Sequence, residues 1–189
     1  MDRRSPLAAL FIAGLLGACP ASAQRKLDRH VFDVPAAHDI PDSGAPFFLP
    51  ALDARDGFSF TLNPEASLAE RNLIAVASKV RICARAGGTG ARINATICAA
   101  PPPSWRGRAL RKISDGVFWT YDLPAEEGRK SSASLASCSA VVEGSGSGLC
   151  NASLLYGDLV LTIHFRDDRI ASLETLYDRA TAFLRRWER

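Results

Sequence analysis

The chain has 189 residues, 47% of them hydrophobic and 23% charged, the balance of an ordinary globular protein. Its formal net charge of +3 is too small a bias to mark a nucleic-acid binder. Five cysteines make the compartment the first question to settle.

Residues 1–23 read as a secretory leader. Arg3 and Arg4 form a positive start, residues 7–16 (LAALFIAGLL) an apolar core, and Ala21-Ser22-Ala23 a small-x-small cleavage site. The apolar run is too short to span a bilayer, so the expected location is periplasmic or secreted. Leu16-Gly17-Ala18-Cys19 also matches a lipobox, which makes a lipoprotein anchored at Cys19 the alternative; Pro20 fits that pattern poorly. Removing the leader leaves about 165 residues, the size of one domain with a real core. It also removes Cys19, and Cys83, Cys98, Cys138 and Cys150 remain. Four cysteines in an exported chain imply two disulfides with three possible pairings. Sequential pairing is expected, because short loops close most readily. Their spacing is not that of paired CxxC zinc ligands and no histidine sits nearby, so no metal or cofactor is expected.

Residues 24–56 carry Pro35, Pro41, Pro46 and Pro50, and are expected to wrap the domain as extended strand and turn. Phe47-Phe48-Leu49 within them is expected to plug the core. The domain proper is placed at 57–189. Phe58, Phe60 and Leu62 alternate with Ser59 and Thr61, a half-buried strand. Ile74, Val76, Val80 and Ile82 then share one face of a longer predicted strand, followed by a glycine hairpin loop at 87–90 and a return over 93–98. That loop lacks the G-x-G-x-x-G fingerprint of a dinucleotide site.

After Pro101-Pro102-Pro103 comes a basic stretch beside an aromatic: Trp105, Arg106, Arg108, Arg111 and Lys112. It reads as a solvated loop with its Trp turned inward. Trp105, Arg106 and Arg108 are its candidate partner contacts. Asp115-Gly116 opens a strand over 117–123, in which Val117, Trp119, Tyr121 and Leu123 alternate. Strands over 135–142 and 150–155 follow, joined by a glycine turn at 144–148. The middle residue of that turn is Gly146, where a nucleophile elbow requires serine, so no hydrolase motif stands there. The order Asp-Gly, Pro, Glu, Cys, glycine loop, Cys occurs twice, which raises the possibility of two similar disulfide-closed units.

Residues 158–165 form a strand with Leu159, Leu161, Ile163 and Phe165 on one face. Leu173, Leu176, Tyr177, Ala180, Phe183, Leu184 and Trp187 then recur at helical spacing, predicting a helix over 172–188. Ser172 is its expected N-cap, with Glu174 in the first turn and Arg185 and Arg186 in the last to complement the dipole. His164 lies opposite the apolar face of its strand. It is expected on a solvated surface near Asp167 and Asp168, which makes it the weak candidate for a general base. His30 and His38 sit in the Pro-rich segment, and the three histidines have no recognisable metal-ligand spacing.

The leader, the run Pro46-Phe47-Phe48-Leu49-Pro50, the stretch Asp56-Gly57-Phe58-Ser59-Phe60, the two cysteine pairs and the closing strand and helix ending in Trp187 resemble small exported proteins of proteobacteria. In outline they also resemble periplasmic immunity proteins, which neutralise toxins delivered by neighbouring cells. The resemblance implies a protein partner and transfers no functional residue. The expected fold is α+β: an antiparallel sheet of about six to eight strands with a C-terminal amphipathic helix packed on it. The leading functional expectation is a non-enzymatic periplasmic binding protein, inhibitor or immunity-like. The alternatives are a small exported hydrolase using His164 with a nearby carboxylate, and a structural envelope protein. No nucleic-acid partner is expected, and a membrane enters only if Cys19 is lipidated.

Overall fold

Alternating hydrophobicity and two-residue turns build most of this molecule. A computed structural model describes residues 22–41, 57–67, 70–84, 97–98, 104–124, 133–140 and 148–189. A hairpin of β1 (Ser22–Leu27) and β2 (His30–Pro35) forms a separate two-stranded sheet. The main sheet has eight antiparallel strands in the order β3-β4-β5-β10-β9-β8-β7-β6. They are β3 (Asp39–Ile40), β4 (Gly57–Thr61), β5 (Leu73–Ser78), β6 (Arg111–Asp115), β7 (Phe118–Leu123), β8 (Ala133–Ala140), β9 (Gly148–Tyr156) and β10 (Leu159–Arg166). The chain crosses from β5 to the far edge and meanders back, strand by strand, until β10 pairs with β5. A 3₁₀ segment, Asp167–Ser172, then leads into helix α2 (Leu173–Trp187). The class is the expected α+β.

The two faces of the sheet differ in character. Face A carries Phe58, Phe60, Ile74, Val76, Leu154, Leu161, Ile163 and Phe165, all buried in one core with Leu173, Leu176, Ala180, Leu184 and Trp187 of α2. Each of the leucine, isoleucine, valine and phenylalanine side chains contributes about 1.5–3 kcal/mol on burial. The N-terminal hairpin adds Leu27, Phe32 and Val34 to the same core, and Phe32 lies 5.4 Å from Phe58 ring to ring. Face B carries mostly short or polar side chains: Ser59, Ala75, Ala77, Thr162, His164, Asn151, Ser153, Ser137 and Thr120 fall on it by register.

Several local expectations are corrected. The predicted strand through Ile82 ends at Ser78, and Lys79–Ala84 is a short helix, α1. The reason lies in its partner: Ser78 pairs with Leu159, the first residue of β10, so the ladder has nothing further to run along. The Lys79 N–H instead donates to the Asp158 carbonyl at 3.0 Å, and Val80 is 69% exposed. The end of the basic stretch, Arg111 and Lys112, is strand β6 rather than loop. Asp115 therefore closes β6, and the strand expected over 117–123 follows the turn as β7, Phe118–Leu123. Gly116 (φ +62°) and Val117 are the two-residue turn between β6 and β7, with positive φ at the place where a type II′ turn takes glycine. Ser172 occupies the N-cap position of α2 without a side-chain cap bond, because the 3₁₀ turn before it supplies a backbone bond from Leu173 N–H to the Ile170 carbonyl.

The disulfides are Cys83–Cys98 and Cys138–Cys150, the sequential pairing. They are not equivalent: the first joins α1 to Cys98, 15 positions on, whereas the second links directly opposed residues of β8 and β9. The glycine loops at 87–90 and 144–147, and Phe47-Phe48-Leu49, lie outside the described residues. No helix among the described residues is long and apolar enough to cross a membrane.

Candidate functional site

The 104–110 segment lies across the start of α2, held by aromatic and charged contacts. Trp105 packs edge-on against Tyr177, with ring centroids 5.4 Å apart. The Arg106 guanidinium covers both rings, at 5.6 Å and 5.1 Å, and pairs with Asp178 at 2.5 Å. Gly107, at φ +67°, donates its N–H to Glu174 at 2.7 Å. Arg108 donates to the carbonyls of Ser104 and Pro124. A cavity of about 270 Å³ opens beneath, walled by Trp105, Leu110, Tyr121, Leu135, Ile170, Ala171 and Leu173, with Arg108 and Glu174 as its charged lining. The tertiary structure thus sets Trp105 and Arg108 in the wall of one cleft, with Arg106 stacked over Trp105 beside it.

Beside the cleft stands a residue that sequence reading placed only in a turn. Asp167 Oδ1 accepts hydrogen bonds from Trp119 Nε1 (2.9 Å) and the Tyr121 hydroxyl (2.6 Å), and Oδ2 accepts from Lys112 Nζ (3.0 Å). Lys112 meanwhile rests over the Trp119 ring at 4.6 Å. Burial alone would push the Asp167 carboxyl up, but Tyr121, Trp119 and Lys112 outweigh it and hold it below the usual range. Tyr121, by burial first and then by Asp167, is pushed up to about 12. The sulfurs of Cys138 and Cys150 also lie near Asp167, within 4.8 Å as a group of three. Joined as a disulfide they offer no thiolate, so this is a packed polar hub and no metal centre. The only sequence signal for it was the pair of acids at a strand–helix junction.

His164 does not occupy the predicted solvated site. It lies on face B of β10 with Nε2 shut off from solvent, and burial pushes its pKa down to about 4. Asp167 belongs to the other face, with Trp119 and Tyr121, so those two residues cannot form an acid–base pair. The remaining histidines serve separate contacts. His30 bridges Glu188 and Asp158. His38 bonds the Thr61 carbonyl at 2.7 Å and packs on Phe183 and Trp187.

At the β6–β7 end of face B the sheet presents apolar side chains to solvent. Phe118 is 62% exposed, Val117 49%, Leu149 42% and Ile113 38%. The register puts Phe118, Ser139 and Leu149 in one row, and Ile113 diagonal to Phe118 across the hairpin.

No protein-family model matches the chain, and no curated protein is significantly similar to it. Among solved structures, Smlt3025, an immunity protein of the Stenotrophomonas maltophilia type IV secretion system, is similar in outline. The TM-score is 0.43 at 10% identity, with 90% of this chain and 94% of that one covered.

Proposed function

We propose that this is an exported, non-enzymatic binding protein, inhibitor- or immunity-like, that docks a partner protein at the β6–β7 end of its sheet. The observation that carries the reading is the exposed row of Phe118 and Leu149 with Ile113 and Val117 beside it. Large apolar side chains clustered on a soluble surface and rimmed by polar residues mark interaction sites. The cleft lined by Trp105 and Arg108, with Arg106 stacked over Trp105, opens on the helix side of the sheet and offers a second set of the aromatic and arginine anchors that dominate binding energy. The Cys138–Cys150 disulfide, next to Ser139 and Leu149, ties β8 to β9 beneath that row and makes it rigid, which lowers the entropic penalty of docking. The leader at 1–23 delivers the chain to the periplasm or outside the cell, where such disulfides persist.

The test is affinity capture of the tagged exported chain from its own cells and from toxin-producing neighbours, run beside Phe118→Asp. The wild type should recover one stoichiometric protein, and Phe118→Asp should lose it at least tenfold while keeping its thermal midpoint. Recovery of no stoichiometric partner, or a partner held equally by Phe118→Asp, overturns the reading.

A further inference from the structure

The two edges of the main sheet are not alike. β3 is a two-residue strand, and Arg25 from the neighbouring hairpin pairs with its Asp39 at 2.8 Å. β6 pairs with β7 over five successive positions without a register shift and contains no proline. Among the described residues no strand lies outside it. Arg111, Lys112, Ile113 and Ser114 are all exposed. Natural edges are guarded by short length, bulges, proline, a covering segment or charged side chains, outward or turned inward. β6 has neither bulge nor proline; Lys112 is folded back over Trp119 and neutralised by Asp167, and Arg111 is the charge left on the edge, so a strand that docks there must answer an arginine.

The backbone of β6 is self-complementary. Asp115 and Phe118 flank a two-residue turn and form its hydrogen-bonded pair, so the alternation of an antiparallel ladder bonds Ile113 to Thr120 and Arg111 to Asp122. The N–H and C=O groups of Lys112 and Ser114 therefore face away from β7. A two-fold axis through Ile113 places Lys112 opposite Ser114 of a second copy, and their outward groups then meet as a hydrogen-bonded pair. The same axis sets positions 111 and 115, an arginine and an aspartate, opposite one another, and brings two Ile113 side chains together. We infer that the occupant of this edge is a second copy of the chain, giving an isologous dimer with one sheet running through both subunits. It would also set two copies of the Phe118 face side by side. The inference rests on the edge strand and not on the identity of any partner protein.

A five-residue edge is small for an interface, so the dimer is expected to form above roughly 10 μM. Sedimentation of the oxidised exported chain should then approach twice the monomer mass, with the Lys112 and Ser114 amides gaining hydrogen-exchange protection as concentration rises. Ser114→Pro removes an outward N–H and leaves the β6–β7 ladder whole; it should lower the dimer fraction at least tenfold with an unchanged thermal midpoint. Ile113→Pro, which removes a ladder bond, should lower the midpoint and so reports on the assumed register. The inference is overturned if the wild type stays monomeric to roughly 1 mM, if Ser114→Pro dimerises as well as wild type, or if β6 takes an extended segment of another protein while the chain alone is monomeric.

Discussion

Nδ1 of His30 and the Glu188 carboxylate meet at 2.5 Å across 158 positions of sequence, and Nε2 of the same ring reaches Asp158 at 2.9 Å. The imidazole thus closes the N-terminal hairpin against both the end of α2 and the β9–β10 turn. It stacks on Phe32 at 5.9 Å, and Arg29 supports Asp158 from outside. The Arg189 N–H donates to the Val31 carbonyl at 3.0 Å and its side chain pairs with Asp33, so the hairpin and the last residues of the chain are sewn together along one seam.

This seam is pH-dependent. Burial alone would lower the pKa of His30, but the hydrogen bonds to Glu188 and Asp158 outweigh it and raise the value above 6.5. A raised histidine stabilises the fold fully below the unfolded pKa, and that contribution disappears as pH rises through the folded one. The thermal midpoint should therefore fall as pH rises above about 6.5. In His30→Gln that fall should flatten, with stability lower by about 1–2 kcal/mol at pH 6. Thermal unfolding across a pH series checks both.

His164 acts on the other limb. Its native pKa of about 4 keeps the ring neutral where the unfolded chain takes up a proton. Between pH 6.5 and 4 the unfolded state binds more protons, so stability drops as pH falls, by up to about 3 kcal/mol. His164→Gln should flatten this acid limb and leave the alkaline limb intact, a separation that urea titrations at pH 4.5, 6.5 and 8 would resolve.

Asp167 satisfies three donors on the helix side of the sheet. Asp167→Ala leaves a buried indole N–H and a phenol without their acceptor and should lower stability by about 2–4 kcal/mol. Asp167→Asn should do less harm, and should lower the Tyr121 pKa from about 12 towards 10, read by ultraviolet difference titration.

Gly148 opens β9 directly beneath Trp119. A Cβ built there meets the indole ring of Trp119, which cannot withdraw without disturbing the Asp167 hub, and the Ser139 carbonyl, which is fixed in the β8 ladder. Gly148→Ala should lower stability by about 1–3 kcal/mol and shift tryptophan emission, whereas alanine at Gly107, which has open space around it, should act only through its positive φ.

The disulfides have a direct test. Peptide mapping without reduction should join Cys83 to Cys98 and Cys138 to Cys150 and yield no cross-link between the two halves. Replacing Cys138 and Cys150 by alanine together should lower stability by about 3 kcal/mol, the entropy of a loop this short.

Periodicity alone identified the α+β class, the strand over 158–165, the C-terminal helix and the buried side of each, because alternation and 3.6-residue spacing are local properties of the chain. The pairing of neighbouring cysteines was legible for the same reason, since short loops close most easily. Trp105, Arg106 and Arg108 could be singled out by residue type, but not their cleft, whose other walls come from β7, β8 and the start of α2.

What the chain could not disclose locally depended on neighbours distant in sequence. β5 stops at Ser78 because β10 begins at Leu159, and β6 is a strand because β7 lies beside it. Local sequence put His164 on a strand and His30 and His38 in a Pro-rich segment, and told neither the burial nor the charge around any of the three rings. Only the tertiary structure buries His164 in a sheet face and sets His30 between two carboxylates, because burial and charge at a side chain are fixed by what packs against it.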